Sequence, residues 1–114
     1  MSSTRSNKAK GRRLQNQVRD SLLEYFKDLE PDDIRSTTMG MSGEDIQLST
    51  AARKVLPFSF ECKNQEKLSI WSALNQAEAN CPEGDIPTLV FKRNHSETYV
   101  TLKFDDFLKL LKEE

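Results

Sequence analysis

The chain has 114 residues, 36% hydrophobic and 31% charged, which suits one domain with a modest core. Mean hydropathy is −0.68, no apolar run approaches the roughly 18–20 residues of a membrane span, and residues 1–13 lack the apolar stretch of a secretion signal; a membrane or exported protein is not expected. Two cysteines, Cys62 and Cys81, and one histidine, His95, exclude a disulfide framework, a multi-histidine zinc site and a His-based triad. Any metal here is a hard cation held by oxygen, and the compartment expected is the reducing cytoplasm.

The net charge of −1 conceals an asymmetry. Arg5, Lys8, Lys10, Arg12, Arg13 and Arg19 precede the first acid, which leaves 11 basic against 18 acidic residues from Asp20 onward. A basic arm on an acidic body points to an anionic partner such as nucleic acid, and equally describes a solubilising tail.

Residues 1–9 are polar and basic and are predicted to form a flexible leader, with a single domain over 10–114. Residues 11–29 place Leu14, Val18, Leu22, Tyr25 and Leu29 at helical spacing, and Pro31 ends that helix. Short strands are predicted over 34–38 and 44–49, on either side of a turn at 39–43. Residues 55–63 form the clearest strand: Phe58, Phe60 and Cys62 alternate with Ser59, Glu61 and Lys63. Ser69 opens a helix to about residue 80 whose apolar row is Ile70, Trp71, Leu74 and Ala77. Residues 86–92 read as a central strand, Asn94-His95 as an exposed turn, 98–102 as a further strand and 104–111 as a last amphipathic helix. The order α-β-β-β-α-β-β-α predicts an α/β fold with a mixed sheet flanked by helices.

One constellation carries chemistry. If the strands at 44–49 and 55–63 pair as an antiparallel hairpin with their apolar sides buried, Asp45, Glu61 and Lys63 share one face. Two carboxylates can offer oxygens to Mg²⁺, and Mn²⁺ suits the same donors. Such a metal activates water and neutralises charge on phosphorus, while a lysine beside it holds the water or the anionic transition state. The Cys62 backbone carbonyl is a further candidate ligand.

The stretch Ser42-Gly43-Glu44-Asp45, followed by Glu61-Cys62-Lys63, resembles the PD-(D/E)XK nuclease signature, and Lys10-Gly11 before a helix resembles the archaeal-type and phage Holliday-junction resolvases. The resemblance runs from about Lys10 to the last helix. It implies a restriction-endonuclease-like fold and metal-dependent cleavage of branched DNA by a homodimer, in a prokaryotic or phage-infected cell. Carried over by position, Asp45 and Glu61 are metal ligands and Lys63 is the catalytic lysine. Such resolvases usually carry a glutamate in the first helix shortly after the Lys-Gly pair. Gln15 stands nearest to that place here, and Gln76 is a second glutamine expected near the pocket. Lys8, Lys10, Arg12, Arg13 and Ser42 are the candidate DNA contacts.

Blander expectations accompany these. Glu44 is expected to face solvent, Trp71 to pack in the core, and the Phe104, Phe107, Leu108 and Leu111 stripe to be core or a dimer face. The preferred function is a Holliday-junction resolvase. The alternatives are a repair or restriction nuclease, or a non-catalytic DNA-binding or regulatory protein on the same fold.

Overall fold

In the computed structural model, residues 4–38, 41 and 43–112 are described. The order is α1 (Thr4–Tyr25), a 3-10 turn (Pro31–Asp33), β1 (Ile34–Ser36), β2 (Ile46–Leu48), α2 (Thr50–Val55), β3 (Phe58–Asn64), α3 (Ile70–Ala79), β4 (Ile86–Lys92), β5 (Tyr99–Thr101) and α4 (Phe104–Lys112). It is an α/β fold with helices flanking a small mixed sheet, compatible with the restriction-endonuclease-like architecture.

The expected β2–β3 hairpin is not formed. β2 pairs antiparallel with β1, Ile34 opposite Leu48 and Ser36 opposite Ile46. β3 belongs to a separate three-stranded sheet, parallel to β4, which is antiparallel to β5. The reason lies in residues 50–55, which fold as α2. Ser49 caps that helix by accepting from the Ala52 N–H at 3.1 Å, and its own hydroxyl donates to Asp33. A helix between two strands moves the second too far along for a tight hairpin. Asp45 bridges the gap instead: its N–H donates to the Phe60 carbonyl of β3 at 3.0 Å, and its carbonyl accepts from the Thr37 N–H at 2.8 Å.

One core lies under α1. Leu14, Ile34, Ile46, Leu48, Ala52, Leu56, Phe60, Cys62 and Val90 are buried together, with Val18, Leu22, Leu23 and Phe26 of the α1 end packed against them. α1 starts at Thr4 rather than near residue 11, so residues 4–9 of the segment read as a leader are helical; residues 1–3 lie outside the described residues. It also ends earlier than expected, leaving Tyr25 exposed while Phe26 joins the core.

The opposite face of β3 lies under α3. Across the parallel register Ser59, Glu61 and Lys63 sit beside Pro87, Leu89 and Phe91. α3 meets this face through Ala73 and Ala77, both buried, while Trp71 is 80% exposed. Trp71 is therefore not a core residue: the helix presents its small side chains to the sheet, the side on which its approach is closest. His95 lies exposed in the turn between β4 and β5, in the left-handed region at φ 63°. Among the described residues no helix is long and apolar enough to cross a membrane.

Candidate active site

The site is built where Asp45, at the mouth of β2, meets the open edge of β3. The Cys62 N–H donates to Asp45 Oδ2 at 2.7 Å, which locks the carboxylate against the strand between Glu61 and Lys63. The Asp45 and Glu61 carboxyl groups also lie close enough to act on each other directly. On the other side, Asn80 at the end of α3 donates to Glu61 Oε1 at 3.4 Å. Lys63 Nζ stands 3.7 Å from Glu61 Oε2. Cys62, by contrast, turns its thiol into the core, where burial pushes it above the ordinary thiol range and leaves it no nucleophile.

The electrostatics follow from burial. Glu61 is 2% exposed; loss of hydration, then the neighbouring Asp45 charge, raise its pKa to about 7 despite Lys63 and Asn80. Asp45 is likewise raised by burial, which outweighs the Cys62 N–H that favours its ionised form. Two carboxylates forced together and short of counter-charge match the donor chemistry of a hard divalent cation.

A cavity of about 240 Å³ opens over this pair. Its lining includes Asp45, Glu61, Cys62 and Lys63, together with Lys8, Gly11 and Gln15 from α1 and Gln76 from α3. Gln15 is buried rather than on the helix surface, and the Ser36 hydroxyl donates to its Oε1 at 2.9 Å. Lys8, Gly11 and Gln15 recur at three- and four-residue spacing, so one face of α1 forms a wall of the cavity. Gln76 lines the same cavity from an exposed position. Among the described residues no group of three or more His, Cys, Asp or Glu side chains is placed to hold a metal; the cavity lining brings together two carboxylates and the Gln15 amide.

The other basic candidates stand apart from the cavity. Arg12 and Arg13 are exposed on α1 and Lys10 is half-buried; none of them is in its lining. Ser42 lies outside the described residues. Glu44 does not face solvent: it is ion-paired with Arg53 of α2, which also holds Asp85. Arg53 thus braces the residue next to Asp45. Sequence reasoning missed Asn80 and Arg53, and also Asn7, Thr37, Thr38, Asn64 and Gln65 of the lining. Nothing in hydrophobic periodicity marks such polar residues, since their role depends on which elements meet.

Over residues 6–114 the chain matches the model of a family described as "Phage putative PDDEXK endonuclease". The chain belongs to that family. No curated protein and no solved structure shows a significant match. Membership places it in the PD-(D/E)XK nuclease superfamily and supports nuclease activity on DNA, and nucleases of this kind typically use divalent metal ions.

Proposed function

We propose that this nuclease is a Mg²⁺-dependent, structure-selective endonuclease that cuts branched DNA, four-way junctions foremost, as a homodimer in the cytoplasm of a phage-infected or prokaryotic cell. The observation that supports the catalytic part is the convergence of Asp45, Glu61, Lys63 and Gln15 on one water-accessible cavity.

Asp45 and Glu61 are the ligands in this reading, with the Gln15 amide and the Cys62 carbonyl completing an oxygen-rich set. The ion they hold would acidify a bound water and neutralise charge developing on the phosphate. Lys63 orients the attacking water or pairs with the phosphate oxygens, from a strand hydrogen-bonded to β4 along one side. Asp45, fixed through the Cys62 N–H, lines the cavity beside Glu61. Lys8 at the rim, with Arg12 and Arg13 further round α1, holds the DNA backbone by charge, so binding weakens as salt rises. A junction presents two symmetry-related strands, and a twofold dimer presents two sites to match them.

Gln15 favours a second reading, a non-catalytic DNA-binding protein, because a neutral amide stands where related resolvases place an acid. A labelled four-way junction incubated with Mg²⁺ or Mn²⁺, beside linear duplex and a Glu61→Ala control, separates the readings. Paired nicks on the junction, lost in the control, are expected. Equal cutting of duplex and junction would remove the preference for branches. Tight binding with no cutting would favour the second reading.

A further inference from the structure

α4 is the most amphipathic helix of the chain, yet none of its residues is buried. Phe104, Phe107, Leu108 and Leu111 form one stripe at spacing i, i+3, i+4, i+7, and are 70%, 45%, 42% and 65% exposed. The helix is tethered by its other side. Lys103, just before it, donates to Glu78 of α3 at 3.0 Å, and Asp106 and Leu110 are half-buried. Two aromatic and two leucine side chains on one helical face are thus left against water, where a monomer gains nothing from them.

We infer that this stripe is the contact between two copies of the chain, packed with their α4 helices antiparallel across a twofold axis. The charges beside the stripe decide the occupant and the direction. Asp105 lies in the first turn and Lys112 in the last. Seven residues at about 100° each come within roughly 20° of two full turns, so both flank the same edge of the stripe. In an antiparallel pair, Asp105 of each copy faces Lys112 of the other, and both ion pairs form at once, the self-complementarity an isologous contact requires. A parallel pair would turn these edges to opposite sides of the contact, so that neither ion pair could form. DNA does not suit this face, because Asp105, Asp106, Lys109 and Lys112 sum to zero charge and offer phosphates nothing. Nine residues per copy cover less than the roughly 800 Å² per partner of a standard interface, so a dimer of micromolar strength is expected.

Sedimentation velocity across the micromolar range tests this without reference to nuclease activity. The wild-type chain is expected to pass from monomer to dimer, and Phe107→Glu to remain monomeric with an unchanged far-UV circular dichroism spectrum. Asp105→Lys is expected to weaken association at least tenfold at low salt, and the double variant Asp105→Lys/Lys112→Asp to restore it. A monomeric wild type, a dimer that survives Phe107→Glu, or a double variant no tighter than the single one would each overturn the inference. Because the readout is mass, an inactive protein that dimerises in this way sinks the nuclease mechanism and leaves this contact standing.

Discussion

The two faces of β3 carry neighbouring residues of one strand and have opposite characters. Phe60 and Cys62 turn to α1 and complete an apolar core in which each side chain contacts others of its kind. Ser59 and Glu61 turn to α3 and are as thoroughly buried, at 2% exposure each. The difference is made by the covering helix. α1 brings Leu14, Val18 and Leu22 and fills its side; α3 brings Ala73 and Ala77, and its closing Asn80 donates to Glu61. Burial thus stabilises the fold on one face, and on the other is spent keeping a carboxylate dry and short of counter-charge.

Substitutions on each face should therefore act on different observables. The largest effect on stability is expected from Phe60→Ala, which opens a cavity in the filled core. Urea denaturation should show a loss of about 3 kcal/mol, and a loss under about 1 kcal/mol would mean that this face is loosely packed. On the polar face, Lys63→Met should leave the denaturation midpoint nearly unchanged and slow DNA cleavage about a hundredfold, equivalent to ~3 kcal/mol of transition-state stabilisation. Single-turnover rates with saturating metal would measure it.

The same contrast was partly legible in the sequence. Strict alternation from Phe58 to Lys63 marked β3 and its two faces, and Asp45, Glu61 and Lys63 do meet. How they meet was not legible. The six residues of α2 are too few for helical periodicity to show, so the segment read as the approach to a hairpin. Asp45 reaches β3 through one backbone hydrogen bond and its own carboxylate rather than through a ladder. Trp71 was misplaced because periodicity counts apolar side chains, whereas the approach of α3 selects small ones. The early start of α1 was hidden because residues 4–10 carry no apolar stripe. Gln15, by contrast, was named from its position after Lys10-Gly11, and its burial beside Ser36 gives that position a physical role.

The pH dependence of stability sharpens the comparison further. Glu61 titrates near 7 in the folded chain and near 4.5 when unfolded. The folded state holds its proton longer, so stability without metal is greatest below about pH 4.5 and is lost as pH rises through about 7, by about 3 kcal/mol. Denaturation in chelator across this range should show the slope for wild type and a shallower one for Glu61→Gln, where Asp45 is the raised carboxyl that is left. A divalent ion should restore stability at the alkaline end. The smallest effect is expected at the wall of the cavity: Gln15→Glu adds a third carboxylate and should tighten divalent-ion binding about tenfold by calorimetry. An unchanged affinity would place Gln15 outside the metal's reach.

The most direct test of the account is Glu61→Gln, which keeps the side chain's shape and removes only its charge. On the same preparation, DNA cleavage should be measured with Mg²⁺ or Mn²⁺ present and urea denaturation in chelator. The account predicts that cleavage falls at least about a thousandfold while the chelator-treated protein is as stable as wild type or more so. A variant that cuts DNA at close to the wild-type rate would contradict it.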